Sequence, residues 1–114
     1  MERSRLENFV GGWIVGNFSP TIFRTDACEV AVKHYEAGSR EPAHHHKLAD
    51  ELTLIASGRA RMSDLELEAG DIVIVRVHES TDFEAIEATV SVVVKLPSVP
   101  GDKYSDEEFF AQKC

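Results

Sequence analysis

Two histidines one residue apart, His44 and His46, followed five positions later by Glu51, are the residues of this 114-residue chain best suited to chemistry. On an extended segment, positions i and i+2 share a face, so the two imidazoles can converge on one point. Glu51 opens the next apolar run across a short loop, where its carboxylate can meet them. Two imidazoles and a carboxylate form a mixed nitrogen and oxygen donor set. Such a set suits iron, manganese, zinc, nickel or copper better than magnesium or calcium. His45 has the opposite parity and is expected to point away. The plainer alternative is a solvated polar loop that holds nothing.

Other residues could act beside this set. His34 alternates with Cys28, Val30 and Val32, which places it on the strand face expected to point into the core. It is either a hydrogen-bonded core histidine or a catalytic acid/base. Asp82 is a candidate general base or further ligand, with a turn-capping carboxylate as the plain alternative. Arg59, Arg61 and Arg76 could orient an anionic group, or belong to a solvated strand face. Phe9, Trp13 and Phe18 read as packing or subunit contacts.

The elements that must position these groups are short strands punctuated by turns. Strands are expected over residues 12–16, 21–25, 28–35, 52–56, 59–62, 65–68, 72–77, 83–86 and 90–96. The segment from Gly38 to Pro42 reads as a connection. Ser63-Asp64 and Ala69-Gly70-Asp71 read as turns. Residues 72–77 are almost entirely β-branched, as in a strand buried on both faces. Pro97 and Pro100 end the last strand. Ser105 with Glu108 three positions on is a capping-box pattern, which predicts a short C-terminal helix carrying Phe109 and Phe110. The expected architecture is all-β: one domain over residues 1–114 with its barrel core at about residues 28–97.

Composition narrows the classes of function. Apolar residues make up 43% of the chain, as in ordinary globular proteins. With 12 basic and 20 acidic residues the net charge is −8, and the basic residues are scattered, so nucleic acid is an unsuited partner. The apolar stretch from Phe9 to Val15 is broken by Gly11 and Gly12 and falls short of a membrane span or a cleavable leader. Cys28 and Cys114 form no ligand pair or disulfide framework; Cys28 reads as core and Cys114 as an exposed thiol. A cytoplasmic location follows as the expectation.

The segment Gly38-x5-His44-x-His46-x4-Glu51-x6-Gly58 resembles the first motif of the cupin superfamily at every defined position. The resemblance extends more loosely over residues 31–96 and implies the cupin double-stranded β-helix, a jelly-roll barrel that is usually dimeric. The second cupin motif is eroded: Gly70 matches, but Arg76, His78, Thr81 and Ala85 stand where proline, glycine, histidine and asparagine are usual. That histidine is normally a fourth metal ligand. Three ligands alone, a fourth from His78 or Asp82, or loss of the metal are therefore all open. The region around Thr81-Asp82-Phe83 and the closing residues 95–104 resemble small stand-alone cupins, akin in fold to sugar epimerases and isomerases.

The resulting expectation is a homodimeric cupin holding a divalent transition metal (Fe, Mn, Zn or Ni) on His44, His46 and Glu51. It would act on a small polar molecule, such as a sugar derivative or carboxylate, by isomerase/epimerase or oxygenase chemistry, with His34 or Asp82 moving protons. The alternatives are a non-catalytic ligand-binding or sensing cupin, and a metal-independent sugar epimerase or isomerase.

Overall fold

A computed structural model describes residues 1–106. After a short 3-10 turn at Leu6–Asn8 come eleven strands: β1 (Trp13–Gly16), β2 (Phe23–Arg24), β3 (Glu29–Tyr35), β4 (Arg40–His45), β5 (Asp50–Ser57), β6 (Arg59–Met62), β7 (Leu65–Glu68), β8 (Ile72–Val75), β9 (Ser80–Ala85), β10 (Thr89–Leu96) and β11 (Tyr104–Ser105). They form two sheets, ordered β2-β1-β3-β10-β5-β8 and β11-β4-β9-β6-β7. Every pairing is antiparallel except β1 with β2. The architecture is all-β and two-sheeted, as a cupin-like double-stranded β-helix requires.

Several boundaries differ from those expected. Residues 40–42 belong to β4 rather than to a connection, leaving Glu36–Ser39 as the turn. The 72–77 run ends at Val75 and is an edge strand. Ile72 and Ile74 are exposed, so β8 is not buried on both faces. Its β-branched residues reflect strand propensity rather than double burial. Ser105 lies in β11, and from residue 107 on the expected C-terminal helix falls outside the described residues.

The two faces of the larger sheet are chemically inverted. Its outer face carries cross-strand aliphatic rows, Val32–Val92–Leu54–Ile72 and Val30–Val94–Leu52–Ile74. Its inner face carries the row Glu29–Lys95–Glu51–Val75, and beside it Ala31–Val93–Thr53–Val73. The apolar core fills only one end of the space between the sheets, where Ile55, Met62, Leu67, Val75 and Phe83 pack together. Tyr35 caps that core, its ring 4.6 Å from Phe83. The other end is left to polar groups.

Two motif glycines serve the backbone in different ways. Gly38 (φ 85°) turns the chain into β4 with open space around its α-carbon, so its requirement is conformational. Gly58 (φ 88°) joins β5 to β6 where a β-carbon would fall 2.2 Å from the Ala88 carbonyl oxygen, so it serves conformation and close approach together.

Candidate metal centre

His44, His46 and Glu51 do converge: one ligand atom from each lies within 4.8 Å of the others. The histidines come from β4 and the residue after it, and Glu51 comes from β5 in the opposite sheet. The cluster therefore spans the gap between the sheets rather than joining neighbouring strands. The imidazoles stand nearly perpendicular, with centroids 5.3 Å apart.

The protein sets which ring nitrogen faces the cluster. His44 Nδ1 lies 3.2 Å from the Pro42 carbonyl oxygen, which can only accept, so Nδ1 donates and the Nε2 lone pair is free. His46 Nδ1 lies 3.4 Å from Glu51 Oε2, while its Nε2 is buried without a hydrogen-bond partner. Burial, reinforced by the positive charge of Lys95, pushes the His46 imidazole down to about 4, so it is neutral at physiological pH. A neutral imidazole with one nitrogen near a carboxylate and the other without a partner offers donor chemistry that suits a divalent transition metal. The cluster can coordinate such an ion.

A residue on no expected site holds the loop between the ligands. Asp102 is buried, and its carboxylate accepts hydrogen bonds from the backbone N–H groups of Lys47 (2.9 Å), Leu48 (3.1 Å) and Ala49 (3.0 Å). Burial opposes its ionisation, but the three donors outweigh that and keep its pKa below the ordinary carboxylate value. Asp50 similarly accepts from Val77 N–H at 3.0 Å.

The cavity in front of the cluster has a volume of about 430 Å³. Trp13, Phe18 and Val99 form apolar walls, and Glu29, Lys33, Glu41, Lys95 and Lys103 supply charge. Trp13 and Phe18 are thus cavity residues, beyond the packing role expected of them. Glu41 reaches the cavity because β4 shifts register between Glu41 and His44, so residues three apart share its face. Glu41 accepts the Tyr35 hydroxyl at 2.7 Å and lies 3.5 Å from Lys33. Burial opposes its charge, yet Lys33 and Tyr35 hold its pKa below the usual value. Burial and the Glu41 contact together push the Tyr35 hydroxyl well up.

The remaining expected residues lie elsewhere. His34 is exposed on the face opposite Lys33 and Tyr35, so it is not in the core and does not reach the metal cavity. The assumption that Val30 and Val32 face inward reversed the strand, because the inner face here is polar. Asp82 accepts the Ser63 N–H at 2.9 Å and lies near Arg61, capping the Ser63-Asp64 turn away from the cluster. His78 is exposed at a turn (φ 70°), its N–H bonded to the His46 carbonyl at 2.7 Å. Thr81 does stand across from His44, but its hydroxyl donates to the Asp82 carbonyl at 2.8 Å and accepts from Ser63 at 3.0 Å. Among the described residues, the cluster has three members and none of these supplies a fourth. His45 points away as expected, with Nδ1 3.0 Å from Asp106 and its ring stacked on Tyr104.

The arginines do not line the cavity: Arg61 pairs with Asp82 and Glu84, and Arg76 with Asp50. Lysines do so instead. The alternation of Glu29, Lys33 and Tyr35 on one face of β3 was the available signal for this.

No helix among the described residues is long and apolar enough to cross a membrane. No protein-family model matches the chain, and no curated protein does either. Solved structures do. A protein with a double-stranded β-helix domain from Klebsiella pneumoniae subsp. pneumoniae MGH 78578 is 25% identical, with a TM-score of 0.63 over 68% of this chain and 73% of its own. The DMSP lyase DddQ from Ruegeria pomeroyi DSS-3 is 18% identical, with a TM-score of 0.69 over 82% of this chain and 49% of its own, so the alignment takes in about half of that enzyme. The oxalate decarboxylase of Bacillus subtilis, described with Mn(II) centres, is 23% identical, with a TM-score of 0.63 over 75% of this chain and 26% of its own.

Proposed function

We propose that the chain, which has the double-stranded β-helix fold of the cupins, works as a metal-dependent enzyme of the isomerase or epimerase kind. Its substrate in this reading is a small polar metabolite. The observation that carries the reading is the convergence of His44, His46 and Glu51, with a buried His46 Nε2 that has no partner, beside a cavity that His44 and Glu51 line. A buried polar atom left unsatisfied costs free energy that a ligand recovers.

Held by His44, His46 and Glu51, a divalent transition metal (iron, manganese, zinc or nickel) would supply Lewis-acid polarisation of a substrate carbonyl or hydroxyl. The residues around it do the rest. Glu41 takes the proton-moving part expected of His34 or Asp82, because its ionised carboxylate faces the cavity while Tyr35 and Lys33 fix its position. Trp13 and Phe18 supply apolar wall to the cavity that this carboxylate faces.

A homodimer is part of the same reading. The aliphatic rows on the outer face of the larger sheet carry no charge, and a second copy related by a two-fold axis would cover them with the same residues. A cytoplasmic setting agrees with the free thiol of Cys28.

Elemental analysis of untagged protein tests the central claim. About one equivalent of a transition metal is expected in the wild type, and none in His46→Ala. A wild type that neither retains nor takes up metal overturns it. Catalysis that survives chelation would instead favour a metal-independent epimerase, and a tight ligand without turnover a binding module.

A further inference from the structure

The lining of the cavity reverses the usual order of a protein surface: its charged side chains lie deep and its apolar ones stand at the mouth. Side-chain exposure of the deep charged group runs from 10% for Glu29 to 26% for Glu41, with Lys33, Glu51 and Lys95 between them. Asp102 is buried as well, its carboxylate turned to the ligand loop. Val10, by contrast, is 72% exposed, Pro20 and Pro100 are exposed, and Phe18 and Val99 are half-buried. Ser19 and Lys103 are the polar side chains of the mouth. Trp13 marks the boundary, with the ammoniums of Lys33 and Lys95 5.3 and 5.2 Å from the centre of its ring.

Each part of this lining favours a different part of a ligand. A polar base that gives up its water recovers the cost only from a polar group. Apolar side chains around an opening stay in water in the free protein, and an apolar group laid against them leaves water together with them. A sugar derivative would set hydroxyls against that mouth and gain nothing there. A carboxylate with a hydrocarbon substituent satisfies both ends.

We infer that the substrate is a small amphiphilic acid. Its oxygen-donor head, a hydroxyl or carbonyl beside a carboxylate, enters first and reaches the metal. Its short hydrocarbon substituent stays at the mouth against Val10, Phe18, Pro20, Val99 and Pro100. The inference rests on the metal reading above and adds the substrate class to it.

Calorimetric titration of metal-loaded protein with lactate, 2-hydroxybutyrate, 2-hydroxyhexanoate and gluconate tests it, with metal content measured on the same samples. These acids share one head and differ only in the rest of the chain. Affinity is expected to rise roughly three-fold with each added methylene, and so about thirty-fold from lactate to 2-hydroxyhexanoate. Gluconate, equally long but with a hydroxyl on every carbon beyond the carboxyl, is expected to bind no more tightly than lactate. Val10→Ser combined with Val99→Ser is expected to cut the gain with chain length to a few-fold, with metal content at the wild-type value. Val10→Ser alone, at an exposed position where folding is not at stake, is expected to weaken 2-hydroxyhexanoate binding by a few-fold. Ile72→Ser, at a position 67% exposed on the outer sheet face, is expected to leave the series unchanged. No binding of 2-hydroxyhexanoate, affinities that do not rise with chain length, or an equal loss in Ile72→Ser overturns this inference alone. Failure of the wild type to take up metal overturns the metal reading, and this inference with it.

Discussion

His46 and Glu51 meet at 3.4 Å, Nδ1 to Oε2, across the gap between two sheets, although only four residues separate them along the chain. Leaving one sheet and entering the other in so short a span requires a fixed loop, and Asp102 fixes it through three backbone N–H groups. The ligand set is therefore assembled by a tether as well as by strand parity.

Metal removal is expected to lower thermal stability. With free metal at one hundred times Kd, binding to the native state alone adds about 2.7 kcal/mol. For a chain of this size that corresponds to roughly 10 °C in Tm. Calorimetric melts with and without chelator should show the shift in wild type, and His46→Ala should melt at the same temperature in both. An equal chelator effect in both proteins would place the metal elsewhere.

Asp102→Asn keeps the shape of the tether, removes its charge and replaces one accepting oxygen by an NH2 that cannot accept from the backbone N–H groups. Weakening these charge-assisted bonds is expected to cost about 1–3 kcal/mol in denaturant unfolding. Because the tether joins two ligands, metal affinity should fall as well, by roughly 10–100-fold, the range seen for groups that orient ligands. An unchanged affinity in a metal titration would show that the loop keeps its form without the carboxylate.

Acid sensitivity follows from the same kind of contact. Asp82, Asp102 and Asp106 are all held below the ordinary carboxylate value. For Asp82 the leading cause is the Ser63 N–H, and for Asp106 the Ser80 and His45 hydrogen bonds. For Asp102, burial is offset by its three backbone donors. The unfolded carboxyls titrate near 3.9, so as pH falls the unfolded chain takes up protons first. The contribution of these groups is complete above about pH 5 and is lost as pH drops through the folded values. Metal-free protein should lose stability on that acid limb, and Asp102→Asn should lose it less steeply. Parallel curves for the two proteins would remove Asp102 from the account.

The outer sheet face gives an independent test of assembly. Ile74→Lys puts a charge at the β8 end of an aliphatic row, at an already exposed position where the fold has little to lose. Sedimentation velocity at micromolar concentration should show a dimer for wild type and a monomer for Ile74→Lys, with melting cooperative in both. A monomeric wild type would mean that this face is not a self-contact.

The sequence by itself determined the all-β class, the main turns and the identity of His44, His46 and Glu51, because spacing and period-two parity are local properties of an extended chain. Parity states which residues share a face; it does not state which face is inside. Taking Val30 and Val32 as inward is sound where a sheet buries oil, and it fails here because the space between the sheets holds a polar cavity. His34 was thereby turned out to solvent, while Glu29, Lys33 and Tyr35 were turned in. The register shift in β4 brought Glu41 onto the cavity face against simple alternation. Asp102 reached the ligand loop from 53 residues away, a separation no local pattern encodes. The ligands were legible one strand at a time. The groups that charge the cavity and hold the loop were decided only when two sheets faced each other.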